Sequence, residues 1–197
     1  LAKRNPREFF VQIKDVLGTA CSTSSSSATL PAALAACRER LGIAPSTAGF
    51  VMPLGTTMNM SGTALYEGCV VLFVAQVFGV HLGLVEQVTL VFLSVLSAVA
   101  VAAIPGGSLP LIAGLLVAFG IPPEGIGIIL GVDRLLDMTR TMTNVGSDLV
   151  TTAVVDRGQR AGAPLLRRLR LPRAAAAARA APAAAGAAGV PAVPGAA

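Results

Sequence analysis

The chain has 197 residues, of which 54% are hydrophobic and 13% charged, with a mean hydropathy of +0.74. A soluble domain carries about 25% charged residues, so this composition sets aside an ordinary soluble enzyme or binding domain and points to a membrane protein. The net charge of +5 is uneven: no Lys or Arg occurs between Arg40 and Arg134, and seven arginines follow Asp156.

A basic flank on an apolar chain fits the cytoplasmic side of a membrane protein better than a nucleic-acid surface, so no nucleic-acid partner is expected. Cys21, Cys37 and Cys69 show no metal-ligand or CxxC spacing and read as free thiols in apolar surroundings. The chain opens on Leu1 with no secretory pattern, and "LAKRNPREFF" reads as the continuation of something upstream, a fragment.

Residues 7–41 form the first unit: an apolar half, the run "TSSSSATLPAAL" and a second apolar half. Each half is shorter than the ~20 helical residues that cross a hydrocarbon core. Two short halves joined by small polar residues suggest a re-entrant hairpin, whose polar tip is tolerated at membrane depth only inside protein or facing water. Thr29 is a candidate cap for the second half, and Pro31 suits its first turn.

Residues 46–80 form the second unit. As one straight helix it would run about 50 Å against a core about 30 Å thick. Pro53, Gly55, Asn59 and Gly62 are poor helix residues in series, so a break is expected near Met58–Ser61, with freed carbonyls. Residues 84–121 repeat the first pattern, an apolar half to Val101, the turn signal "AAIPGGS" and an apolar half to Ile121. After "GIPPEG", residues 124–157 form a last long helix. Residues 1–160 thus read as one core, and the Ala-, Pro- and Arg-rich residues 161–197 as a disordered tail.

The expected fold is therefore an all-α membrane protein, an inverted-repeat transporter core with two re-entrant hairpins, one broken transmembrane helix and one long C-terminal transmembrane helix. Lys3, Arg4, Arg7, Lys14, Arg38 and Arg40 flank the first hairpin, which places its ends inside. "GVHLGLVEQ" and "GIPPEG" carry no Lys or Arg and lie outside. The last helix then returns to a cytoplasmic, Arg-rich C-terminus, in a prokaryotic plasma membrane.

Polar positions 133, 137, 140, 144 and 148 on that helix step by four, three, four and four. At 100° per residue they fall in a wedge of roughly 80°. Asp133, Asp137, Arg140, Asn144 and Asp148 thus share one face, which Thr151 continues; Thr141 sits at its edge and Arg134 just outside. A charge at mid-membrane costs roughly 2.5–3.5 kcal/mol, while a Leu returns about 0.3–0.6. The leucines cannot offset such a stripe, so it must face a polar cavity within protein. A structural Asp137–Arg140 salt bridge is the plain alternative, but it leaves Asn144 and Asp148 unexplained. Arg140 suits a carboxylate, Asp137 an ammonium, and Asn144 with Asp148 a small cation.

Four motifs, "SSSSATLP" (24–31), "PLGTTMNMSGTALYEG" (53–68), "AAIPGG" (102–107) and "DRLLDMTRTMTNVGSD" (133–148), are similar in order and spacing to the dicarboxylate/amino acid:cation symporters, the glutamate transporter family. The resemblance covers residues 7–157, the C-terminal transport core. It implies a secondary active symporter that moves an acidic amino acid, glutamate or aspartate, with sodium or protons by alternating access. A C4-dicarboxylate is the alternative substrate, and an inert truncated membrane fragment the alternative reading. No cofactor is implied beyond the coupling ions. The partners implied are the small-molecule acid, membrane lipid, and two further copies in a homotrimer held by a scaffold outside this sequence.

The resemblance also implies roles. Ser26 would contact the substrate main-chain carboxylate. Thr63, Ile104 in the second hairpin tip, Asp137, Arg140, Thr141 and Asn144 would complete the substrate site. Gly55, Asn59, Asn144 and Asp148 would hold one sodium, largely through carbonyls, and Thr57 would serve a second. Three departures stand out. Ser61 occupies a position where the family usually has Asp, which weakens a further sodium site. Ala98, Ala100, Val101 and Ala103 stiffen the second tip. Ser24 and Met138 stand where the family places an arginine, with Arg134 as a possible substitute. His81 reads as a surface residue of an outer loop, and Glu67 and Gln76 as packing or interhelical hydrogen-bonding residues. With one loop histidine there is no nucleophile–base pair, so an enzyme is not expected.

Overall fold

In the computed structural model, residues 4–101 and 103–179 are described, the last of them, 163–179, as backbone only. The chain divides into two compact units, residues 1–157 and 158–197. The described residues are helical, with no strand among them. Seven α-helices occur in order: α1 Pro6–Thr23, α2 Ser26–Glu39, α3 Pro45–Met58, α4 Ser61–Val77, α5 Leu84–Ala100, α6 Leu109–Ala118 and, after a 3-10 turn at Pro123–Gly125, α7 Ile126–Arg179.

Helix α1 packs along α2 across a turn of only two residues. Ser24 takes a left-handed conformation at φ 49°, and Ser25 is the N-cap of α2, its Oγ accepting from the Ala28 amide at 3.2 Å. This corrects the expected cap. Thr29 lies a turn inside α2, where its hydroxyl donates to the Ser25 carbonyl at 2.8 Å. Pro31 likewise lies inside the helix rather than in its first turn. Four serines in a row offer several equivalent caps, and the one chosen is the residue after the reversal.

Helices α3 and α4 are separated by Asn59 and Met60, both outside helical geometry. Pro53 inside α3 removes one amide donor, so the carbonyl of Gly49 loses its helical partner and the segment is weakened before it breaks. The combined stretch Pro45–Val77 is long and apolar enough to cross a membrane. Helices α5 and α6 flank a turn, described at 101 and 103–108, in which Gly106 adopts φ 71°. Helix α7 continues to Arg179, past the residue 161 where the composition predicts disorder. Ala, Leu and Arg are strong helix formers and prevail there. The remainder of that expected tail, 180–197, lies outside the described residues.

Within residues 1–157 the apolar side chains form two main cores. Ile13, Val16, Ala33, Cys37, Met52 and Leu149 join α1, α2, α3 and the later part of α7. Val71, Val74, Leu90, Ile112, Leu116 and Ile129 join α4, α5, α6 and the start of α7. Each helix pair therefore shares a core with one half of the broken helix. The polar segments, the Ser24–Ser25 turn, the Asn59–Met60 break and the turn between α5 and α6, meet at mid-α7.

Candidate functional site

On α7 the residues Asp133, Asp137, Arg140, Asn144 and Asp148 are all buried. The 4-3-4-4 spacing keeps them on one side of the helix, and that side faces protein. The stripe ends differently from the sequence expectation. Thr151 is exposed and Thr152 buried, its hydroxyl donating to the Asp148 carbonyl at 2.7 Å. At 100° per residue Thr151 falls inside the wedge of the stripe and Thr152 and Asp156 outside it, so the buried face has shifted around α7 by this point. Arg134 is exposed, just outside the stripe.

Arg140 is boxed on three sides. It donates to the Asp137 carboxylate on one arm and to Ser108 Oγ on the other. Its guanidinium lies 5.0 Å from the centre of the Tyr66 ring, a cation–π contact. The Tyr66 hydroxyl in turn donates to Asp133 at 2.6 Å. The second oxygen of Asp137 accepts from the Gly106 amide at 3.0 Å. The plain alternative, an Asp137–Arg140 pair, is thus present, and it is also tied to the turn between α5 and α6. That turn is held from the other side too: Ser25 Oγ donates to the Ala103 carbonyl at 3.0 Å.

These groups enclose a cavity of about 10 Å³, room for about one water molecule. Ser26, Thr63, Ile104, Asp137, Arg140, Thr141 and Asn144 all line it. The seven residues expected at the substrate site therefore come together from three helices and one turn. Ser24 and Met60 line it as well, and Ser24 Oγ is buried without a hydrogen-bond partner among the described residues.

Asn144 fastens α4 to α7. Its Oδ1 accepts from the amides of Gly62 at 2.8 Å and Thr63 at 3.3 Å, and its Nδ2 donates to Thr63 Oγ1 at 3.1 Å. These amides belong to the first turn of α4, where no intrahelical acceptor exists. The approach requires glycine at 62, because a Cβ there would stand 2.6 Å from the Arg140 carbonyl oxygen.

The expected cation residues fall into two groups. Asn59 Nδ2 donates to Asp148 Oδ1 at 2.9 Å and to Ser147 Oγ at 3.2 Å. Gly55 lies against the same carboxylate, with a Cβ position 2.6 Å from Asp148 Oδ1. Asp148 Oδ2 is buried with no hydrogen-bond partner among the described residues. A carboxylate oxygen left bare in this way is a hard oxygen still open to a further partner. Thr57 stands apart: it is exposed, and its hydroxyl donates back to the Leu54 carbonyl at 2.9 Å. Ser61, at the position of the missing carboxylate, is hydrogen-bonded to Ser147 Oγ at 2.9 Å.

Several residues of the site escape the sequence. Tyr66 and Ser108 reach Arg140 across long sequence separations, and only their being polar among apolar neighbours hints at a partner. Asp156, beyond the stripe, accepts from the Ala44 amide at 3.0 Å, at the start of α3. Glu67 is fully buried on α4, and neither carboxylate oxygen has a hydrogen-bond partner among the described residues.

A buried stripe of acids, amide and guanidinium thus faces two polar turns and a helix break. The chain belongs to the sodium:dicarboxylate symporter family, whose model matches residues 1–158. It is 42% identical over 153 residues to excitatory amino acid transporter 4 of Rattus norvegicus, covering 78% of this chain and 27% of that protein. It is 39% identical over 155 residues to excitatory amino acid transporter 2 of Homo sapiens, covering 79% and 27%. With the proton/sodium-glutamate symport protein of Bacillus subtilis it shares 36% identity over 150 residues, covering 76% and 35%. The chain thus spans about a third or less of the length of these curated relatives. Membership makes it part of an integral membrane protein.

Proposed function

We propose that this chain is the transport core of a symporter that moves an acidic amino acid with sodium across the membrane by alternating access. The observation that carries this reading is the buried Asp137–Arg140 pair, tied to Gly106 and Ser108 of a turn and opening on the cavity. Removing one partner from a buried pair costs about 3–5 kcal/mol, because the other charge is left uncompensated. A ligand that engages Arg140 must therefore also compensate Asp137. An acidic amino acid does both: its side-chain carboxylate takes the guanidinium, and its ammonium takes the Asp137 carboxylate. A C4-dicarboxylate satisfies Arg140 and repels Asp137. The ligand's main-chain carboxylate is assigned to Ser26 and the first-turn amides of α2. Thr63, Thr141 and Asn144 border the ammonium end, and Ile104 covers the site.

Sodium is placed as cargo at Asp148, with Asn59, Asn144 and the backbone around Gly55 supplying the other oxygens; Thr57 belongs to a separate position. Helix pairs α1–α2 and α5–α6 are read as re-entrant hairpins, each with half of the broken helix as an inverted repeat. The division of the apolar side chains into two cores supports that reading. The charge distribution places the C-terminal end of α7 on the cytoplasmic side. A homotrimer is proposed for the full-length protein.

Uptake by Asp137→Ser and Arg140→Cys variants of the intact protein tests the assignment. Arg140→Cys is expected to lose acidic substrates and to admit neutral ones; Asp137→Ser is expected to lose amino acids. Glutamate and aspartate transport preserved in both variants would remove this reading of the site.

A further inference from the structure

We propose that Ser108 is a specificity-determining residue, which shortens the carboxylate end of the site so that aspartate is preferred over glutamate. This rests on the proposed function, in which Arg140 anchors the substrate's side-chain carboxylate.

Ser108 immediately precedes α6, the N-cap position, where a serine normally accepts from an amide of the first turn. It makes no such bond. Its side chain is completely buried, and its Oγ accepts from Arg140 instead. The backbone fixes that position independently, since the Ser108 carbonyl accepts from the Leu111 and Ile112 amides at 3.1 and 2.9 Å. With helical backbone angles, φ −86° and ψ −16°, Ser108 is not set to cap α6, and its hydroxyl is left for the guanidinium.

The guanidinium has no room to yield. Tyr66 lies against its face and Asp137 holds its other arm. The cavity in front of it has about 10 Å³ to spare. A carboxylate must therefore meet Arg140 beside or in place of the Ser108 hydroxyl, at a depth set by that hydroxyl. A side chain with one methylene stops short of it. A side chain with two drives its carboxylate into the serine, or buckles. Removing the hydroxyl returns an N–H to the ligand and opens the missing length.

The test is sodium-dependent binding to the intact protein, with glutamate and aspartate each competing against labelled aspartate, for wild type, Ser108→Ala, Ser108→Gly and Ser108→Thr. One methylene is worth about 10–200-fold in discrimination. Wild type is expected to favour aspartate by about tenfold or more, and the Ala and Gly variants to lower that preference at least about fivefold by tightening glutamate. The Thr variant keeps the hydroxyl and should keep the preference. If glycine loosens the turn, alanine, which leaves the backbone restricted, carries the comparison. A wild type that favours glutamate, or a ratio unmoved in both Ala and Gly variants, overturns the proposal while leaving the acidic amino acid reading intact. A wild type that binds neither acid removes the functional reading itself, and this proposal with it.

Discussion

At the scale of single residues, the site depends on side chains that each satisfy several partners. Asn144 supports two amides and a hydroxyl from the first turn of α4. Each buried polar group deprived of its partner costs about 1–3 kcal/mol. Asn144→Ala is therefore expected to lower the thermal unfolding temperature markedly. Asn144→Asp keeps the acceptor for the two amides, and its second oxygen can accept from the Thr63 hydroxyl, so it should recover part of the loss; differential scanning of the three proteins checks this. Gly62→Ala should be worse than any propensity scale implies. Alanine is the better helix former by about 1 kcal/mol, yet its methyl meets the Arg140 carbonyl at 2.6 Å. An unchanged melting temperature in Gly62→Ala would contradict the close approach of α4 and α7. Tyr66→Phe keeps the ring against Arg140 but strips Asp133 of its hydroxyl donor. Lost substrate affinity in that variant would show that the Asp133 end of the stripe reaches the ligand.

Among the elements, the two turns act together because Ser25 serves both. Its Oγ caps α2 through the Ala28 amide and reaches the Ala103 carbonyl in the opposite turn. Replacing a capping serine by alanine costs about 0.5–2 kcal/mol, and here the link between turns is lost as well. Ser25→Ala is expected to raise the reactivity of a cysteine placed at position 104 toward a membrane-impermeant thiol reagent, beyond the effect on α2 alone. Ser25→Thr, which retains the hydroxyl, should restore protection. Much at this scale is legible from sequence. Proline, glycine and asparagine clustered at 53–62 announce a helix that cannot continue, and the turn at Pro105–Gly107 is marked by composition. The choice of Ser25 over Thr29 as cap is not legible, since both are good caps and only the geometry of the reversal at Ser24 decides. Nor does the helical period tell Thr151 from Thr152, because the buried face drifts as the neighbours of α7 change from the second core to the first. The contacts of Tyr66 and Ser108 with Arg140 are long-range and leave no local pattern.

For the molecule as a whole, the two cores suggest two bodies of packing that meet at a polar seam. The cavity and the residues proposed to hold the cation both lie on that seam, and Asn144 belongs to both proposed groups. Binding of ligand and cation is expected to be coupled. A ligand at a hundred times its dissociation constant stabilises the fold by about 2.7 kcal/mol. Aspartate should raise the melting temperature in sodium and barely do so in potassium or choline. Asp148→Ala should abolish that difference while Asp156→Ala, whose carboxylate serves the start of α3, should lower stability without touching the sodium effect. Equal aspartate stabilisation with and without sodium in wild type would separate the cation group from the ligand cavity.

The mutual engagement of Asp137 and Arg140 has a consequence for the journey without cargo. A bare guanidinium buried in a low-dielectric slab is heavily penalised. One already matched by its own carboxylate presents a dipole where it would otherwise present a full charge. In the carrier proposed above, the vacant shuttle would reset across the bilayer with its polarity internally cancelled, whereas a half-loaded one, bearing an acid but no balancing amine, would stall. Strict stoichiometry then arises from electrostatics in transit as much as from recognition at the surface.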